Sequence, residues 1–160
     1  MTTVYRLLRK PFADMPFDGE GSYRYGGRWS HPGIRMVYTA EHLSLAMIEY
    51  LAHLNPDRPP ADLMLAQAEI PDDISSIRYK AEDLPADWRR YPAPEKLASL
   101  GSEFVADGKS AILIVPSVLA TVEYNWLLNP AHPDFHRIRV LPTEPFQYDP
   151  RLARRKPASG

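Results

Sequence analysis

Cysteine is absent from all 160 residues. That absence removes disulfide frameworks, thiolate zinc sites, iron–sulfur clusters and cysteine nucleophiles together. A surplus of one charge is missing too: 19 Lys and Arg face 20 Asp and Glu, for a net charge of −1. No basic excess therefore argues for nucleic acid or an anionic membrane as an obligatory partner. Long apolar runs are also lacking. The strongest, Ala111 to Val115, is far too short to cross a bilayer, and the first ten residues hold no apolar stretch of export-signal length. These exclusions predict a soluble cytoplasmic protein with no membrane partner. Neither nucleotide fingerprint, Gly-x-Gly-x-x-Gly or Gly-x-x-x-x-Gly-Lys, occurs, and neither does the Gly-x-Ser-x-Gly elbow of a hydrolase nucleophile.

Proline, in contrast, is plentiful: 17 of 160 residues, about twice the usual share of roughly 5%. Frequent proline means short elements separated by rigid turns, which disfavours a helical bundle. Residues 3–8 alternate as a strand. Pro11 to Gly21 reads as a loop, Arg35 to Thr39 as a short strand, and the next segment as a helix to about Leu54, ending before Asn55-Pro56. Thr39 is expected to cap that helix, with Glu41 in its first turn. Asp62 to Ile70 alternates as a strand with two usable faces. A second amphipathic helix starts at Pro94 and stops at Gly108. Ala111 to Val115 is expected as an interior strand buried on both faces. Beyond Val115 the chain reads as loop, with late strands near His136–Leu141 and Phe146–Tyr148. One α+β domain over residues 1–160 results, with short, mostly antiparallel strands, a few flanking helices and a basic, frayed tail at about 151–160.

The chemistry gathers early. Tyr25-Gly26-Gly27-Arg28-Trp29, then Val37-Tyr38-Thr39, then Glu49 place a guanidinium, a phenol and a carboxylate along a strand, strand, helix run. Arginine's planar fork suits phosphate oxygens, and two preceding glycines let the backbone turn tightly or approach a ligand. Glu49 is the only charge between Leu43 and Ala52, on a helix apolar nearly all round. Such a helix should be sandwiched, enclosing Glu49, and a buried carboxylate costs several kcal/mol unless paired. Two readings stay open: an ion pair with an arginine, or a site carboxylate. Trp29 and Tyr38 read first as core aromatics. Ser117, just past the apolar strand, either serves a turn or faces a site. The five histidines, His31, His42, His53, His132 and His136, show no metal-ligand spacing and read as surface or loop residues, so no metal site is predicted.

Joined in order, the pieces resemble the RES domain family: Gly26-Gly27-Arg28-Trp29, Gly33, Val37-Tyr38-Thr39-Ala40, Leu45-Ala46-x-x-Glu49, Pro116-Ser117, Asn125, Leu128-Asn129-Pro130 and Asp149-x-Arg151. The resemblance spans nearly the whole chain. Two departures are Ser30, where an Asn often follows the Trp, and Val118, where a small residue often follows Pro-Ser. The resemblance implies a fold similar to ADP-ribosyltransferases. It also implies a toxin of a bacterial toxin–antitoxin pair that destroys NAD+ by phosphorolysis or hydrolysis, or else modifies a protein with ADP-ribose. NAD+ would be substrate, not cofactor. An Xre-like antitoxin would cover the active site and alone touch DNA. By motif, Arg28, Tyr38, Glu49 and Ser117 form the implied functional set, with Asn125 a substrate-binding candidate. A module that only binds partners is the non-enzymatic alternative.

Overall fold

In the computed structural model, residues 1–55, 58 and 60–152 are described. The alternating sequence Thr2–Arg9 forms strand β1, which pairs antiparallel along its whole length with β3, Leu63–Ile70, from Thr2 opposite Ile70 to Arg9 opposite Leu63. Period-two alternation gives each strand one face for each layer of the core. The remaining strands are β2 (Val37–Ala40), β4 (Ser76–Arg78), β5 (Ile112–Pro116), β6 (Tyr124–Leu128), β7 (Arg139–Val140) and β8 (Glu144–Pro145). They form one sheet in the order β4-β5-β6-β2-β1-β3-β7, with β8 also on β3. Only β4 and β5 run parallel; every other pairing is antiparallel.

One face of the sheet buries Val4, Val37, Ala66, Ile112, Ile114 and Leu128 beneath Phe17 and Ile138. The opposite face carries the helices. Helix α3, Glu95–Asp107, lays Leu97 and Phe104 over Leu113, Val115 and Leu127, with Trp29 and Trp88 completing the layer. Helix α2, Leu43–His53, sets Leu45 and Ala46 against Ala40. Strand β5 is buried at every residue because both layers cover it, which explains its unbroken apolar sequence.

The expected α+β class and mostly antiparallel sheet hold, and several local expectations need correction. Thr39 does not cap α2: it lies inside β2, and its hydroxyl donates to the Trp126 carbonyl at 2.6 Å. The position before α2 is His42, with no side-chain cap, and Glu41 precedes the helix, accepting the Tyr124 N–H at 2.9 Å. The expected loop Pro11–Gly21 contains a 3-10 turn, Lys10–Phe12, and runs into a short helix α1, Glu20–Tyr25. Tyr124–Leu128 is an interior strand, not loop. Near the end, Pro133–Arg137 is a 3-10 turn, the strand expected near His136–Leu141 narrows to Arg139–Val140, and the last strand is Glu144–Pro145 rather than the expected Phe146–Tyr148, which is irregular. Arg28 sits in the connection between α1 and β2 rather than on a strand, where Gly27 and Ser30 form an isolated bridge. Helix α2 is not sandwiched: Leu45 and Ala46 are its buried residues, and Ile48 is 49% exposed. The tail from residue 153 lies outside the described residues.

Candidate active site

Strand register does most of the positioning. Asn125 of β6 pairs with Ala40 of β2, so its side chain emerges on the sheet face that Leu45 and Ala46 cover. Glu49 lies four residues after Leu45 and three after Ala46, hence on the same side of α2. The two side chains meet there. Asn125 Nδ2 stands 2.8 and 2.9 Å from the two Glu49 carboxylate oxygens and 3.2 Å from the Thr39 carbonyl. An amide nitrogen has two hydrogens. One therefore serves Thr39, and the other is shared by both carboxylate oxygens.

Ser117 follows β5 directly and is 1% exposed. Its hydroxyl accepts the Leu119 and Ala120 backbone N–H groups at 3.2 and 3.3 Å. With both lone pairs engaged, its single hydrogen points to Glu49 Oε1, 3.3 Å away. Glu49 is thus held by two neutral donors, and among the described residues no cation pairs with it. Desolvation raises its pKa; the Asn125 and Ser117 hydrogen bonds lower it, and the like charge of Glu123 raises it further. The net direction is upward. Of the two readings the sequence left open, the ion pair with arginine is therefore the one the geometry rejects.

Tyr38 pairs with Leu127 in β2–β6, which makes it a diagonal neighbour of Asn125 on the same face. Its hydroxyl accepts the Trp29 backbone N–H at 3.0 Å and bonds Ser30 Oγ at 2.8 Å. Burial pushes its pKa up to about 12, so the phenol stays neutral. The Arg28 loop passes against it so closely that a Cβ on Gly27 would sit 2.5 Å from the Tyr38 hydroxyl oxygen. Beneath the same loop, a Cβ on Gly101 of α3 would lie 1.7 Å from the Trp29 carbonyl oxygen. Trp29 itself is core, 3% exposed, as expected.

Arg28 is half-buried, and burial lowers its pKa. Nη1 donates to the carbonyls of Trp88 (2.9 Å) and Arg90 (3.1 Å). Its Nε and Nη2 donors find no acceptor among the described residues, leaving the guanidinium anchored and still able to donate. A small open cleft of about 200 Å³ borders it, lined by Gly26, Gly27, His31, Pro32 and Glu95 among others. His31 bonds Glu95 at 2.6 Å across that cleft. The structure thus brings Glu49, Asn125 and Ser117 into direct contact, sets Tyr38 diagonal to Asn125 on the same sheet face and ties Arg28 to Tyr38 through the Gly27–Trp29 backbone. No hydrogen bond links Arg28 to Glu49, Asn125 or Ser117.

Buried Ser22 escaped the sequence reading because an isolated serine carries no spacing signal, and Ser30, which bonds Tyr38, was noted only as a departure from the family motif. Asn125 was legible by motif order alone. As for metals, Glu41, His42 and Glu123 bring one ligand atom each within 4.8 Å of one another. His42 Nε2 stands 3.9 and 3.8 Å from the two carboxylates, which suits an exposed ion pair when the imidazole is protonated.

Comparison with known proteins agrees over nearly the whole length. The RES domain matches residues 3–149. "Toxin Res" of Yersinia enterocolitica is 36% identical over 151 residues, covering 93% of this chain and 98% of that protein. The "Prs ADP-ribosylating toxin" of a Sphingobium species is 37% identical over 139 residues, 86% of each. A solved structure, the M. tuberculosis MbcT–MbcA toxin–antitoxin complex, superposes with a TM-score of 0.71 at 16% identity, over 91% of this chain and 84% of the matched one, which establishes the shared fold. Motif order, the match from residue 3 to 149 and relatives aligned almost end to end lead to one assignment: the chain belongs to the RES domain family.

Proposed function

We propose that the chain is the toxin of a bacterial toxin–antitoxin pair and that it cleaves the nicotinamide–ribose bond of NAD+, depleting the cytoplasmic pool. The observation that carries this reading is Glu49: a carboxylate taken largely out of water, aimed by Asn125 and Ser117, and matched by no cation among the described residues. Such a group is costly to keep and suits a positive charge that arrives with the substrate. Loss of nicotinamide leaves an oxocarbenium-like ribosyl centre, the species that glycosidases also stabilise with carboxylates. In this mechanism the C1″–N bond breaks with its electron pair leaving on nicotinamide, Glu49 faces the developing cation, and phosphate or water supplies the new C1″–O bond. The free Nε and Nη2 donors of Arg28 grip the pyrophosphate, and the Tyr38 ring packs on the nicotinamide. Ser117 steadies Glu49.

A second reading uses the same bond cleavage with a protein side chain as acceptor; it is favoured by the 37% identity to a toxin named for ADP-ribosylating Prs. An antitoxin, Xre-like by the family resemblance, would cover the cleft and alone contact DNA. The exposed Ile48, Leu119 and Val122, near Glu49 and Ser117 in the chain, offer apolar surface for it.

The test is to incubate the purified protein with NAD+ in phosphate and in phosphate-free buffer, following nicotinamide and the ADP-ribose product. Phosphate-dependent loss means phosphorolysis, phosphate-independent loss means hydrolysis, and no loss without a protein acceptor moves the assignment to transfer. Glu49→Gln should slow turnover by about 10²–10³-fold, as expected for one electrostatic group worth roughly 3–4 kcal/mol. A folded Glu49→Gln protein with undiminished turnover overturns the proposal.

A further inference from the structure

The Ser22–Ser30–Tyr38 contacts have a fixed direction. The Ile34 carbonyl can only accept, so Ser22 spends its one hydroxyl hydrogen there, at 2.7 Å. Ser22 Oγ must then accept in its 2.8 Å contact with Ser30 Oγ. Ser30, its own hydrogen given to Ser22, must accept from Tyr38 at 2.8 Å. Tyr38, its hydrogen given to Ser30, accepts the Trp29 backbone N–H at 3.0 Å. The order is Trp29 N–H to Tyr38 O–H to Ser30 O–H to Ser22 O–H to the Ile34 carbonyl. Ser22 and Ser30 are 6% and 2% exposed, so bulk water does not substitute for any link.

We infer that Ser22 and Ser30 are positioning residues that set Arg28 for substrate through this one-way hydroxyl chain. The Trp29 N–H belongs to the peptide that joins Arg28 to Trp29, so the chain fixes the plane from which the Arg28 side chain departs. The carbonyl of Trp29 itself rests on Gly101, so the residue is held at its N–H and at its C=O. Tyr38 is constrained as well. Its hydroxyl already donates once and accepts once, and its ionisation lies near 12, so it serves as a ring and a strut and not as an acid or base.

The inference rests on the proposed NAD+ chemistry for its kinetic readout but not for its structural one. Ser22→Ala, Ser30→Ala and the double variant are compared with wild type by amide hydrogen exchange at Trp29 and by steady-state NAD+ kinetics. Each single variant should raise Trp29 exchange and raise KM about fivefold, the worth of one net hydrogen bond, with kcat within about twofold. Because the links are in series, the double variant should be no worse than the poorer single one. Ser30→Thr, which restores a hydroxyl, should return KM toward wild type if it folds; Ser22→Thr is the alternative rescue. Unchanged Trp29 exchange in both single variants overturns the chain even if NAD+ is consumed. Raised exchange with unchanged KM, or additive losses in the double variant, overturns the positioning role. Wild-type protein that leaves NAD+ intact without a protein acceptor moves the proposed function to transfer instead, and the exchange data still decide the hydroxyl chain.

Discussion

Replacing Asn125 with alanine probes the site without touching the carboxylate. The amide spans both oxygens of Glu49 at 2.8 and 2.9 Å and is the larger of the two influences that favour its ionised form. A hydrogen bond to a charged group contributes about 1.5–3 kcal/mol. If the ionised Glu49 stabilises the transition state, its loss should lower kcat roughly 10- to 150-fold at a pH where wild type is fully ionised. The pH dependence has a definite sign. Burial already raises the Glu49 pKa, and removing its principal donor raises it further. The acid limb of the pH–rate profile therefore moves to higher pH, so the deficit at pH 6 exceeds the deficit at pH 8. The assay is nicotinamide release between pH 5 and 8.5, with circular dichroism to confirm folding. An equal deficit across that range would mean that Asn125 only places Glu49; no deficit at all would refute the role given to the contact.

Three further outcomes are expected. Glu49→Gln should raise Tm at pH 8: a carboxyl whose folded pKa lies above its unfolded one loses stability as pH rises through that window, and glutamine does not titrate. The advantage should close on acidification toward the ordinary glutamate value; a Tm gap that widens there contradicts the burial argument. Gly101→Ala pits two effects against each other: helix propensity favours alanine by about 1 kcal/mol, and overpacking costs about 3 kcal/mol. Because the atom met at 1.7 Å is a backbone oxygen, packing should win, and urea denaturation should show a net loss of about 2 kcal/mol. Ser117→Ala should cost less activity than Asn125→Ala, since its bond to Glu49 is longer at 3.3 Å; a larger loss would give Ser117 a direct contact with substrate.

Where a strand or helix has a single buried face, its sequence declares it. Thr2–Arg9 and Leu63–Ile70 alternate, and Pro94 and Gly108 bracket α3 with a proline before the first turn and a left-handed glycine after the last. Strand β6 was hidden because Leu127 and Leu128 are both buried on opposite faces, while Asn125 is a poor strand former kept there for its hydrogen bonds. Helix α1 was hidden for a related reason. Gly21 and Ser22 disfavour helix, and tertiary bonds from Ser22 to Ile34 and from Arg35 to Glu20 hold the turn. Helix α2 misled in orientation, since its apolar residues encircle it and packing against Ala40, Tyr5 and Ala120 selects the Leu45–Ala46–Glu49 side. The Glu49 partnership was legible as an anomaly, a lone acid among apolar neighbours. That its partners are an amide and a hydroxyl required the sheet register, which brings together residues 68 and 76 positions apart.

An acid steadied only by uncharged neighbours discriminates by oxidation state. The oxidised nicotinamide ring is a cation and the reduced ring is not, so under the proposed chemistry Glu49 would attract NAD+ and have no such pull on NADH. Once the glycosidic bond parts, the departing base is uncharged and that attraction lapses. In that mechanism the same electrostatic asymmetry would draw the intact dinucleotide in and let the spent base go, with no moving part required.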